Sequence, residues 1–224
     1  MVELEKGLLI YSKTQLLVDN TVTIKAINGE ITDMLKSNDR ARNTQGKLLP
    51  IKQQAYNAAS QITVKGGNWD ANYKATSIFR FRRNSNVTIA DTTLTHSTGH
   101  TINVSASKNV TISKVTIKDS NNRISKTPVE SDSFKPIVNR EVIHLDYAST
   151  IGEPGLRCAN GTAVQDITIE NCKFENVFSA IGNHVDAQEF TAQYKEDGES
   201  KWKSAGYMVN KETTYGKNIT IRRL

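Results

Sequence analysis

Cysteine is scarce in this chain. Only Cys158 and Cys172 occur in 224 residues. Their spacing matches no zinc or redox motif and two are too few for a disulfide framework, so they are either free or joined in one bridge. Long apolar runs are missing as well: none approaches the roughly 18 residues that a membrane span needs. The N-terminal "MVELEKGLLIYSK" carries acids early and has too short an apolar run for a signal peptide. Aromatics make up 7%, and neither Gly (13) nor Pro (4) is in excess, which excludes collagen-like and disordered compositions. No run of five basic residues occurs, the densest cluster being "RFRR" at 80–83. The net charge of +6 and pI of about 9.2 therefore do not point to nucleic acid. They suit an acidic polysaccharide, an anionic lipid, or a basic surface that is merely solvated.

What the chain has instead is Thr, Asn, Ser, Val and Ile, a vocabulary of strands and tight turns. It also repeats itself. "SNVTIADTTLTHS" at 85–97 is nearly rewritten as "KNVTISKVTIKDS" at 108–120, with looser echoes in "SQITVKGGNW" from Ser60, "QDITIENCKF" from Gln165 and "KNITIRRL" from Lys217. Ile62 to Val87 is 25 residues, Val87 to Val110 is 23, Val110 to Ile167 is 57 and Ile167 to Ile219 is 52. The last two intervals each hold one unit of ordinary size plus an insertion of roughly 30 residues. Within a unit, Val87 and Ile89 share one face while Asn86 and Thr88 share the other. Each unit also carries a second strand, in "IFRFRR", "TINVSA", "VIHLDY" and "AIGNHV", and no helix intervenes. A period of this length, built of short strands alone, predicts an all-β, right-handed parallel β-helix whose rungs stack on one another.

On this reading the Asn-Val-Thr and Asn-Ile-Thr triplets at Asn86, Asn109 and Asn218 are rung corners rather than glycosylation acceptors, because Asn tolerates the left-handed conformation of a turn. The chain reads as a single domain over 1–224, with insertions near 30–58, 120–140, 149–163 and 186–216. It stops mid-rung in "ITIRRL", so the expectation is a fragment of a longer solenoid.

The stretches "LLIYSKTQLLVDNTVTIKA", "ITVKGGNWDAN", "THSTGHTINVSASKNVTISKVTIKDS" and "EVIHLDYASTIGEPG…GTAVQDITIENCKFENVFSAIGNHV" resemble right-handed parallel β-helix proteins of the pectin-lyase-like superfamily. The first is similar to the opening rungs of polygalacturonase-like proteins, the last to a branch common in surface proteins of Gram-positive bacteria. The resemblance implies a secreted or cell-surface location in a bacterium. It does not choose an activity, since this fold hosts lyases, hydrolases and non-catalytic binders. The polygalacturonase series of Asn-Thr-Asp, Asp-Asp, Gly-His-Gly and Arg-Ile-Lys does not stand here intact; "IGNHV" at 181–185 is only loosely like the third element. The calcium-binding aspartates of pectate lyases have no clear counterpart, so no cofactor is expected, Ca²⁺ being conceivable but without a motif.

Stacking the units aligns Phe79, Ile102, Ile143 and Ile181 as one inward column, with Phe81, Val104 and Leu145 two residues on. Between them fall outward residues. One outward column reads Arg80, Asn103, His144, Gly182; the next reads Arg82, Ser105, Asp146, His184. With rungs about 4.8 Å apart, His144, Asp146 and His184 form one patch, and Arg80 and Arg82 lie two rungs away. This is the candidate site for an acidic polysaccharide. A lyase needs a base, for which His144 or His184 serves, and a cation such as Arg82 to neutralise the uronate. A hydrolase needs two carboxylates: Asp146 with Glu141 or Asp186. Arg80, Arg82, Asn103 and Asp186 are assigned to substrate binding and His144, Asp146, His184 and Glu141 to catalysis. A bland reading stands beside it: polar residues on an exposed sheet face, linked by ordinary cross-strand contacts. His100 is expected to be structural and Trp69 to fill a rung.

Three functional classes follow. The chain acts on an acidic polysaccharide by β-elimination or hydrolysis, or it is a non-catalytic surface adhesin binding glycan or mucin on the same face, or it is a spacer. The expected partner is a glycan, with no nucleic acid and no membrane span, and the chain is expected to be a monomer.

Overall fold

The computed structural model describes residues 1–120, 141–150, 157–183, 187–196 and 198–224. Two parallel sheets face each other across one core. A ten-stranded sheet gathers the segments that contain the repeated phrase: Gln15–Ala26, Ala59–Asp70, Asn84–Ala90, Lys108–Ser113, Gln165–Glu170 and Lys217–Arg222, with Val2–Leu4 and the short strands Thr93–Thr95, Thr116–Lys118 and Lys173–Glu175. A six-stranded sheet gathers Leu8–Ile10, Asp33–Ser37, Ser77–Arg82, Ile102–Ser105, Glu141–Asp146 and Ser179–Gly182. Each rung runs through one sheet, turns, and runs through the other. This is the right-handed parallel β-helix that the period predicts.

The repeated phrase sets the register. Ile62, Val87, Val110, Ile167 and Ile219 are Cα partners in sequence, and Val64, Ile89, Ile112, Ile169 and Ile221 form the next column. All but the last residue of each column are buried. β-branched side chains suit these ladders because each packs on its twin one rung away. Across the core, Trp69 of the larger sheet meets Phe79 of the smaller edge to face, with ring centroids 4.9 Å apart. Trp69 is fully buried and donates its indole N–H to the Gly66 carbonyl at 3.2 Å. Gly66 itself has φ +80°, and a Cβ there would lie 2.0 Å from the Val18 carbonyl oxygen, so the close approach of these two strands requires glycine.

The corners behave as the triplets suggest. Asn86, Asn109 and Asn218 all adopt left-handed φ, at +55°, +52° and +51°. They also hydrogen-bond along the stack: Asn109 Nδ2 donates to Asn86 Oδ1 at 3.1 Å, and Asn218 Nδ2 to Asp166 Oδ1 at 2.8 Å.

Three of the expected insertions carry strands. The one expected over 30–58 begins later, because Asp33–Ser37 is a rung strand paired with Ser77–Arg82, with Met34 and Leu35 buried in the core. The expected insertions over 149–163 and 186–216 contribute to a small antiparallel sheet in which Phe190–Tyr194 pairs with both Cys158–Ala159 and Lys203–Val209. Lys203–Val209 alternates exposed and covered positions, as a strand with one packed face does. The insertion expected over 120–140 lies outside the described residues except for Ser120 and is not described further.

Candidate functional site

The six-stranded sheet holds the candidate site. Its strands pair as the stacked columns predict: Lys36, Arg80, Asn103, His144 and Gly182 form one line of Cα partners, and Arg82, Ser105 and Asp146 form the next. His184 and Asp186 lie outside the described residues. The structure therefore brings His144, Asp146, Asn103 and Ser105 onto neighbouring rungs, with Arg80 and Arg82 on the rung beyond.

The environment of these residues differs from the exposed face that alternation alone implies. His144 and Asp146 are each 1% exposed and Glu141 is 4% exposed. Every residue of Glu141–Asp146 is buried, the outward positions included. Alternation of apolar and polar residues marks which way side chains point, but not whether anything covers them. Buried polar groups must find partners, and here they find one another. His144 Nδ1 contacts Glu141 Oε1, and His144 Nε2 lies 3.4 Å from Asp146 Oδ2. The other Asp146 oxygen accepts the Tyr147 backbone N–H at 2.7 Å. Ser105 Oγ donates to Asn103 Oδ1 at 3.0 Å. An imidazole thus stands between two carboxylates in a water-poor setting. Burial pushes the Glu141 carboxyl up, but hydrogen bonds and the charges of His144 and His100 outweigh it and hold the group below its ordinary value.

His100, expected from the sequence to be structural, lies against this group. Its ring stacks on His144 with centroids 4.1 Å apart, and its Nδ1 sits 2.9 Å from the Glu141 carbonyl oxygen and 3.7 Å from Glu141 Oε1. It comes from the turn just before Ile102–Ser105, one rung below, and no strand alternation assigns a direction to a turn residue. The available signal was "THSTGH" lying one rung beneath "VIHLDY".

Arg80 and Arg82 stand in a different setting. Arg80 Nη1 pairs with Asp33 Oδ2 at 2.9 Å. Arg80 and Arg82 line a cavity of about 190 Å³ with Lys36, Ser37 and Asp39. Three cations face one carboxylate in that lining. A larger cavity of about 420 Å³ lies elsewhere, between the segment around Arg40 and Ile51 and the small antiparallel sheet at Cys158 and Tyr194. None of the described predicted site residues lines it. Cys158 and Cys172 are both free thiols.

No protein-family model matches the chain, and no curated protein matches it. Among solved structures it is similar to PfbA, a surface adhesin of Streptococcus pneumoniae, with a TM-score of 0.63 and 18% identity over 98% of this chain. The chain spans 46% of the length of that structure. At this identity the likeness is one of fold.

Proposed function

We propose that this chain is part of a bacterial cell-surface β-helix protein that binds an acidic glycan on its six-stranded sheet. The observation that carries this reading is the basic cavity formed by Lys36, Arg80 and Arg82. A guanidinium presents a planar fork that fits a carboxylate or sulfate with two parallel hydrogen bonds. The Asp33 contact holds Arg80 in one orientation, which lowers the entropy lost when a ligand docks. The likeness in fold to a surface adhesin supports the location and the binding role.

A second reading, cleavage of the same polymer, is favoured by the Glu141–His144–Asp146 contact. Those residues supply an acid, a base and a carboxylate in reach of one another, with His184 as alternative base and Asp186 as a further binding group from the sequence. It ranks second because the described members are almost fully buried, and a polysaccharide backbone needs access to the base.

The test is a binding panel of oligogalacturonate, hyaluronan, chondroitin sulfate and neutral dextran at two salt concentrations. Binding to at least one anionic polymer, weakened by salt and lost by about tenfold or more in Arg80→Ala/Arg82→Ala, is the expected result. Equal affinity for dextran, or an unaffected double variant, would sink the proposal. Reducing ends released from the bound polymer, with or without the ultraviolet absorbance of an unsaturated product, would promote the catalytic reading. His144→Ala and Asp146→Ala should then abolish release.

A further inference from the structure

His100, Glu141 and His144 meet in a way that the glycan reading does not use. One nitrogen of each imidazole and one Glu141 carboxylate oxygen lie within 4.8 Å of one another, and all three residues are buried. Nδ1 of both rings faces Glu141: His144 Nδ1 touches Oε1 and His100 Nδ1 is 3.7 Å from it. His100 Nδ1 donates to the Glu141 backbone carbonyl at 2.9 Å, a bond that an ion held on Nδ1 would replace. Tetrahedral ligand atoms around an ion at about 2.0–2.1 Å stand roughly 3.3 Å apart, so changes in separation of up to about 1.5 Å would close the cluster on a common centre.

A second, independent observation comes from the far side of His144. Asp146 Oδ2 is fully buried with no hydrogen-bond partner, and it lies 3.4 Å from His144 Nε2. As it stands His144 Nδ1 is hydrogen-bonded to Glu141 Oε1; an ion replacing that proton would leave an Nε2–H for the unpartnered Asp146 oxygen. A carboxylate that receives the far N–H of an imidazole is also the usual way a metal-bound histidine is oriented.

We propose that His100, Glu141 and His144 bind one first-row divalent transition ion, Zn²⁺ being the best chemical match, with Asp146 orienting His144 from behind. Two imidazoles and a carboxylate suit Zn²⁺ and disfavour Ca²⁺ and Mg²⁺, which take oxygen sets. Three protein ligands leave a fourth place of the tetrahedron for a ligand outside this set. The ion clamps two neighbouring rungs, because His100 precedes Ile102–Ser105 and the other two ligands lie on the paired strand Glu141–Asp146. The proposal stands independently of glycan binding.

The 224-residue chain is stripped with a chelator, dialysed against Zn²⁺ and then metal-free buffer, and its zinc content measured by atomic spectroscopy. One equivalent per folded chain is expected. Its thermal midpoint should rise by roughly 5–10 °C at a hundredfold excess of Zn²⁺ over Kd, with no comparable rise from Mg²⁺ or Ca²⁺. Co²⁺ in place of Zn²⁺ should give the visible absorption of a low-coordinate site. His100→Gln and Glu141→Gln should lose the bound zinc, whereas His96→Ala, altering a histidine that pairs with Asp70 elsewhere, should keep it. If a variant fails to fold, the wild-type stoichiometry and Co²⁺ spectrum decide alone. A folded wild-type chain that retains no zinc would overturn the assignment. So would zinc loss from His96→Ala equal to that from His100→Gln.

Discussion

At the scale of single residues, the most demanding position is Arg83. It is fully buried with φ +58°. Burial is the main influence on its guanidinium and pushes its pKa down. Its Nη2 donates to the Cys158 carbonyl and its Nη1 lies 3.5 Å from Asn160 Oδ1. Arg83 therefore ties the small antiparallel sheet to the rung that carries Arg82. The neighbouring thiol reports on this tie. Burial pushes the Cys158 thiol up, with Arg83 only partly opposing it, and burial pushes the Cys172 thiol up as well. Both sulfurs stay protonated near neutral pH, and the thiolate is the nucleophile. In native protein a thiol reagent should label both at least about tenfold more slowly than in denaturant. Arg83→Met should fill the space but leave the Cys158 carbonyl without its donor, at a cost of about 1–3 kcal/mol. It also removes the cation that opposes the upward push on the Cys158 thiol, so Cys158 should label more slowly still while Cys172 is unchanged. Mass spectrometry of a labelling time course separates the two sites, and equal rates for native and denatured protein would refute the assignment.

At the scale of the element, the Asn corner decides whether a rung strand enters in register. The left-handed conformation costs an ordinary residue about 1–2 kcal/mol, and a β-branched residue at least as much. Asn109→Val should therefore destabilise the chain by about 1–2 kcal/mol, including loss of the hydrogen bond to Asn86. Asn109→Gly should cost clearly less, because glycine takes that φ without strain. Urea denaturation of the pair distinguishes them, and equal midpoints would mean that backbone strain does not matter there. This element also marks how far the sequence could be read. The phrase "NVTI" recurs at the corner itself, so its spacing yields the register of both sheets, and with it the lines through Arg80, Asn103 and His144. Asp33–Ser37 was not recovered, because "DMLKS" lacks the phrase and opens a polar stretch. The antiparallel strands Phe190–Tyr194 and Lys203–Val209 were not recovered either, since each occurs once and pairs within an insertion. In the site, proximity could be read from register, but burial could not. A period of two tells which way His144 and Asp146 point, while what lies over them is set by segments with no period at all.

At the scale of the whole molecule, stability in a stack of rungs is set by nearest neighbours. A rung should then be removable if, and only if, the cut respects the period. Ser85 and Lys108 are Cα partners, 23 residues apart. Excising 85–107 joins Asn84 to Lys108 and removes Ser85–Ala90, Thr93–Thr95 and Ile102–Ser105 together. Ile62 and Val64 then meet Val110 and Ile112, and Phe79 meets Ile143, each a contact between buried apolar residues. Excising 85–106 instead shifts the incoming strand by one residue. Asn109 then takes the position of Val87, and every side chain of that strand turns to the wrong face. The first variant should keep a β-sheet circular dichroism spectrum and unfold cooperatively, though at a lower midpoint. The second should lose cooperativity or aggregate. Because the first excision deletes His100 while restacking Arg80 beside His144, it should also fail to retain zinc and keep the arginine surface. Two deletions differing by one residue thus test the register directly. If both fold equally well, the rungs are not held together by the column of repeated Val and Ile side chains.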